Sequence, residues 1–126
     1  MNNHICRAKT LVTGKWVYGY YIAKIDPLIG CAYHYILNQE YNSDTGLLDS
    51  FISWRRVDPD TVCRYTGMED KNGTPIYEND CIGNMYNVIE YVYDGFYVAG
   101  DRPLSWFAAY DEVIGNKFDN PKLMED

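Results

Sequence analysis

The 126-residue chain has the length of one ordinary domain, or of two very small lobes sharing a core, which excludes a second full-sized domain. Leu, Ile, Val and Phe supply 29 residues, enough for a folded core, and Ile, Val and Tyr number 31 against 19 for Leu, Ala and Glu, so the composition leans toward pleated sheet. A net charge of −7 excludes a protein that coats nucleic acid or anionic membrane with its whole surface. The charge is unevenly spread: residues 1–24 carry four bases and no acid, whereas residues 58–126 carry five bases and fourteen acids. Such a chain can set a basic edge of one copy against an acidic surface of another.

Cys6, Cys31, Cys63 and Cys81 form no CxxC pair and no zinc-finger spacing, so no metal is expected on them. The opening stretch MNNHICRAKT has no apolar segment of the signal-peptide kind, which leads us to expect a cytoplasmic protein with reduced, mostly core-filling thiols. No apolar run approaches the roughly 18 to 20 residues of a membrane-spanning helix.

Residues 4–12 and 15–23 are extended runs joined by Thr13-Gly14 and read as a hairpin. Period-two alternation puts Trp16, Tyr18, Tyr20 and Ile22 on one face of its second strand. Asp26-Pro27 ends the hairpin, residues 31–37 read as a further strand, and residues 41–46 as a turn. Residues 47–54 fit a strand and a helical stripe equally, because their apolar positions satisfy both periods.

Asp58-Pro59-Asp60-Thr61 is a helix-start signal, since Asp accepts hydrogen bonds from free N–H groups and Pro at the first helical position loses nothing by lacking its own. It predicts a short helical turn over about residues 59–65, stopped by Gly67. Asp70-Lys71-Asn72-Gly73 is a tight turn, and Ile76-Tyr77 opens a strand that ends near Gly83. Residues 85–93 and 96–99 flank Asp94-Gly95, the clearest hairpin signal in the chain, and residues 104–109 and 112–117 read as closing strands. Strands this short and frequent predict a small β-barrel over about residues 76–118, because closure removes exposed sheet edges. Gly67, Gly73, Asn79 and Gly95 are expected where the backbone tolerates no β-branched residue.

Taken in order and spacing, residues 57–62 (VDPDTV), Tyr65-Thr66-Gly67, Asp70-Lys71-Asn72-Gly73, Ile76-Tyr77-Glu78 and Asp80 resemble the central signature of the YopX protein family of phages and prophages. Arg7-Ala8, residues 15–22 (KWVYGYYI), Gly115-Asn116 with the two residues before them, and residues 120–123 (NPKL) resemble its terminal motifs, while residues 25–57 carry little of the likeness. The chain departs from the family pattern at Lys9, where an aromatic is usual, and at Cys63-Arg64, where Gly-Gln is frequent. Glu78-Asn79-Asp80 replaces Glu-Gly-Asp, a mild change because Asn is the next best residue to Gly in a left-handed conformation. The resemblance implies a phage-derived protein with an SH3-like barrel in its C-terminal part, and it brings no established molecular activity. It makes Asp58, Pro59, Thr61, Gly67, Asp70, Gly73, Tyr77, Glu78, Asp80, Gly115 and Asn116 structural motif residues.

Glu69, Asp70, Glu78 and Asp80 form the best carboxylate cluster, and an acid/base pair or a metal would need two of them to converge. The 70–73 stretch has its Gly too early for a calcium loop and lacks the distal Glu, which favours turn formation. His4 and His34 sit beside no nucleophile motif, and no phosphate-binding glycine loop is present. In the N-terminal hairpin, Arg7, Lys9 and Lys15 accompany Trp16, Tyr18 and Tyr20, a mixture that suits nucleic-acid bases and phosphates if the rings are exposed and plain core packing if they are buried. We expect at least two of the three rings to be buried.

The residues thus point to a mainly β, β-rich α+β chain: a single domain over 1–126 with N-terminal hairpins in residues 1–57 and a small SH3-like β-barrel within residues 58–126. The expected function is that of a non-catalytic, self-associating interaction module without metal or cofactor. Its expected partner is a second copy, or a phage or host protein. The alternatives are nucleic-acid binding through the basic aromatic hairpin and a small enzyme using the four carboxylates.

Overall fold

The computed structural model describes residues 5–41, 48–83, 87–92, 95–100 and 102–120. The chain is mainly β, with eleven strands and two single turns of 3₁₀ helix among these residues. None of the described helices is long and apolar enough to cross a membrane. Two compact units divide between Val62 and Cys63.

The N-terminal unit is an antiparallel meander of β1 (Ile5–Lys9), β2 (Trp16–Ile25), β3 (Ala32–Tyr41) and β4 (Leu48–Arg56), each strand hydrogen-bonded to the next in sequence. The first hairpin forms where expected, with Lys9 opposite Trp16 and Ile5 opposite Tyr20. The ambiguous stretch at 47–54 joins the sheet: β4 pairs with β3 from Leu48 onward, and a cross-strand partner rather than local periodicity makes it extended. Cys6, Ala8, Ile36 and Val57 form the buried core of this unit, with Val17 and Val62 packed against it.

The Asp58 signal produces a single 3₁₀ turn, Pro59–Thr61, shorter than the helical turn expected over 59–65. Asp58 Oδ1 accepts from the Asp60 N–H at 3.0 Å, as a cap should. The turn is then tied to β1: Thr61 Oγ1 donates to the Asp58 carbonyl at 2.7 Å and accepts the Lys9 N–H at 2.8 Å, while the Asp58 N–H donates to the Lys9 carbonyl. These bonds hold the segment to one turn, and Cys63 already begins a strand. Asp58→Ala should cost on the order of 1 kcal/mol. A urea midpoint equal to that of the parent protein would remove the cap from this account.

In the C-terminal unit, β5 (Cys63–Glu69) pairs with β6 (Pro75–Tyr77), β7 (Asp80–Ile82) with β11 (Val113–Asn116), and β9 (Gly95–Val98) lies between β8 (Ile89–Val92) and β10 (Arg102–Pro103). Its core is Ile76, Ile82, Ile89, Val98, Leu104 and Ala108, ringed by Met68, Phe96, Phe107 and Val113. The sheets are open, and the closed barrel expected over 76–118 does not form among the described residues. Closure needs continuous pairing between neighbours, whereas among the described residues β7 meets the chain before β8 through one isolated bridge, Cys81 to Val88, and a 3₁₀ turn with the following bends separates β10 from β11.

Four local expectations are corrected. Gly67 (φ +81°) ends no helix; it lies inside β5, where the pairing register with β6 shifts. The expected strand at 76–83 is two strands, because Asn79 takes the left-handed conformation (φ +70°) and turns the chain between them. The expected strand at 104–109 is a 3₁₀ turn, Leu104–Trp106: Leu104 and Ala108 are buried one helical turn apart, and the Phe107 and Ala108 N–H groups both donate to the Leu104 carbonyl. Gly95 is paired with Val92 in the β8–β9 hairpin and does not have the positive φ seen at Gly67, Gly73 and Asn79. Residues 42–47, 84–86 and 93–94, which the strand and turn expectations also covered, lie outside the described residues.

Candidate interaction surface

Three of the four carboxylates, those of Asp70, Glu78 and Asp80, each accept from different backbone N–H groups. Asp70 is buried, with Oδ1 accepting from the Asn72 and Thr74 N–H groups at 2.8 and 2.9 Å and Oδ2 accepting from the Val113 N–H at 2.9 Å. Burial pushes its pKa up, but these three bonds and the nearby Lys71 charge outweigh that and hold it below the usual Asp value. Gly73 (φ +82°) completes the turn by donating its N–H to the Asp70 carbonyl.

Glu78 Oε1 clasps Arg64 through the Arg64 backbone N–H at 2.8 Å and Nε at 3.0 Å. Asp80 is buried and its Oδ2 accepts from the buried Tyr77 N–H at 2.9 Å. Glu69 is exposed at the end of β5. No group of three or more His, Cys, Asp or Glu side chains that could hold a metal occurs among the described residues.

The remaining motif residues are structural. Asn116 Oδ1 accepts from the Phe118 and Asp119 N–H groups at 3.0 and 2.9 Å, closing the turn after β11, and Gly115 pairs with Cys81 where the β7–β11 register shifts. Cys6, Cys63 and Cys81 are buried and Cys31 is exposed. Burial, then the Asp80 charge, raises the Cys81 pKa and keeps that thiol protonated. His34 accepts or donates a 2.6 Å hydrogen bond with the Tyr21 hydroxyl, its ring parallel to the Tyr21 ring within 3°. His4 lies outside the described residues.

The N-terminal sheet carries the most unusual surface. Strand alternation and cross-strand pairing put Arg7 and Lys9 of β1, Trp16, Tyr18, Tyr20, Ile22 and Lys24 of β2, Tyr33, Tyr35 and Leu37 of β3, and Trp54 and Arg56 of β4 on one face. Cations lie over the rings: Arg7 Cζ is 4.4 Å and Lys9 Nζ 5.4 Å from the Trp16 centroid, Lys24 Nζ 5.2 Å from Trp54, and Arg56 Cζ 4.7 Å from Tyr33. Tyr35 meets Trp54 edge to face at 5.5 Å. No acidic residue stands among those named on this face.

The sequence expectation is corrected in two respects. Tyr18 and Tyr20 are 46% and 50% exposed, so two of the three hairpin rings are open to solvent rather than buried, while Arg7 is buried. Lys15 precedes β2 on the opposite parity from Trp16 and Tyr18, and it lines a depression of about 480 Å³ whose walls include Val17, Ile36 and Arg55 as well as Trp16 and Tyr18. Lys24, Tyr33, Tyr35, Trp54 and Arg56 were missed. Their alternation is visible in the sequence, but which parity of each strand shares a face depends on pairing register, which no local pattern supplies.

The opposite side of the sheet ends differently. The turn joining β2 to β3 is closed by the Leu28 N–H donating to Asp26 Oδ1 at 2.9 Å and the Gly30 N–H donating to the Asp26 carbonyl at 2.8 Å. It holds Leu28 and Ile29 outward at 93% and 61% exposure, next to Ile25 at 71%.

Comparison with known proteins agrees with the fold. Protein EF1440 from Enterococcus faecalis has a similar crystal structure (TM-score 0.53, 18% identity), the likeness covering 95% of this chain and 96% of that one. No curated protein matches the sequence. Residues 24–125 match the family described as YopX protein, a span that holds the Asp58–Thr61 turn, the Asp70 and Asp80 turns and Asn116. With that match extending over most of its length, the chain belongs to the YopX protein family.

Proposed function

We propose that this protein is a non-catalytic accessory protein of a phage or prophage, acting in the host cytoplasm as an interaction module that self-associates through the outer end of its N-terminal sheet. The observation that carries this reading is the apolar turn: Ile25, Leu28 and Ile29 are more than half exposed, and an ordered turn holds them there. Exposed apolar clusters of this kind mark interaction sites. Burying the three side chains is worth about 5 kcal/mol. That only begins to offset the roughly 4 to 15 kcal/mol cost of association, so the interface must also cover the neighbouring exposed Tyr21, which shares the Ile25 face of β2. The backbone duties of Asp70, Glu78 and Asp80 support a non-catalytic reading.

Sedimentation velocity over a concentration series up to about 100 µM tests it. The parent protein should sediment as an oligomer. The double variant Leu28→Asp, Ile29→Asp should sediment as a monomer with an unchanged circular-dichroism spectrum. A monomeric parent protein at the highest concentration would overturn the reading.

A further inference from the structure

We propose that the other face of the same sheet, across β2, β3 and β4, binds single-stranded nucleic acid. It carries exposed Tyr20 and Trp54 together with the exposed cations Lys24 and Arg56, and the register shows that these belong to one continuous face. Single strands are held by such a mixture, with bases stacking on rings and cations following the phosphates. From Trp16 to Lys24 the face is about 26 Å long at the usual strand rise of about 3.3 Å per residue, room for several nucleotides.

Charge selects this occupant over a bare apolar partner. The chain as a whole is strongly acidic, and from Cys63 onward it has five bases and twelve acids, yet the named residues of this face are basic, aromatic or aliphatic. A face meant only for an apolar partner gains nothing from cations poised over its rings. Lys24 lies over the Trp54 ring and Arg56 over the Tyr33 ring, so cations already stand among the aromatics of this face and supply the positive charge that the phosphates of a strand stacked on exposed Tyr20 would meet. The alternation of rings also tolerates any base, so the expected preference is for single strands over duplex, without strong sequence selectivity.

The test is fluorescence anisotropy of a labelled oligothymidylate and an oligouridylate of about 12 nucleotides, with a duplex of equal length as the control. Both single strands should bind at about 50 mM salt and lose roughly tenfold in affinity by about 200 mM, the slope expected for two to three neutralised phosphates. Tyr20→Ala should weaken binding at least fivefold, within the range for one lost stacking contact. Lys24→Gln with Arg56→Gln should lower the salt slope by about one to two. A Leu28→Asn, Ile29→Asn variant, which removes the apolar turn without adding charge beside Lys24, should bind as the parent does, which separates failure here from failure of the self-association reading. The proposal is overturned by an unchanged anisotropy at 50 mM salt, by duplex binding as tight as single-strand binding, or by affinity that survives Tyr20→Ala. Loss of the oligomer on Tyr20→Ala without any oligonucleotide binding would assign the face to a second copy and equally overturn it.

Discussion

Asp70→Ala is expected to lower the unfolding free energy by about 3 kcal/mol or more. The substitution leaves the Asn72, Thr74 and Val113 N–H groups without their carboxylate acceptor, and a buried donor left unpaired costs about 1 to 3 kcal/mol. It also cuts the link between the 70–74 turn and β11, leaving the Lys71 N–H to Asp111 carbonyl bond as a backbone tie between these segments. Denaturant unfolding at neutral pH measures the loss. The same carboxylate sets a pH dependence. Its pKa is lowered in the folded state, so the folded protein holds fewer protons here than the unfolded chain and stability rises with pH through this range. The contribution is complete above the unfolded Asp value near 4 and fades as the pH falls through the lower folded value. Asp70→Asn should therefore be less stable than the parent at pH 7, with the gap narrowing as the pH is taken below about 4. A constant gap from pH 7 to pH 2 would remove Asp70 as the source of the acid sensitivity.

Gly19→Ala is expected to cost about 3 kcal/mol, the upper range for forcing atoms into a space already filled. A Cβ at Gly19 would overlap the Leu37 carbonyl oxygen of the adjacent strand, and would stand 3.0 Å from the Leu37 carbonyl carbon and 3.2 Å from Ile36 Cγ2. The obstacle is backbone inside the β2–β3 ladder, where Tyr20 faces Leu37, so it cannot move aside without breaking that pairing. Amide hydrogen exchange across β2 and β3 should accelerate in the variant while the C-terminal strands β8 and β9 keep their protection. An unchanged thermal midpoint and exchange pattern would mean that the two strands do not approach this closely.

Some features were written in local chemistry and emerged as read. The first hairpin, the Asp58 cap, the Asp70–Gly73 turn and the left-handed Asn79 each depend on a few adjacent residues whose own side chains make or permit the turn, so a short stretch of sequence suffices to specify them. The Asp58 cap, the Asp70–Gly73 turn and Asn79 all lie within the span that matches the family. Other features depend on partners distant in sequence. Thr61 limits the helical start to one turn by bonding to Lys9, 52 residues away, and residues 104–108 coil because Leu104 and Ala108 share one core, not because their local pattern excludes a strand. Open sheets in place of a barrel likewise reflect which short edges find a neighbour.

The interaction face shows the same division. Trp16, Tyr18, Tyr20 and Ile22 are cofacial by alternation within one strand, and this was legible. That Lys24, Tyr35, Trp54 and Arg56 join them, that Arg7 is buried beneath Trp16, and that Tyr18 and Tyr20 remain in solvent were decided by tertiary pairing. A one-residue change of register would send each ring of a strand to the opposite face, and the free energy that selects the register comes from contacts between strands rather than from residues within any one of them.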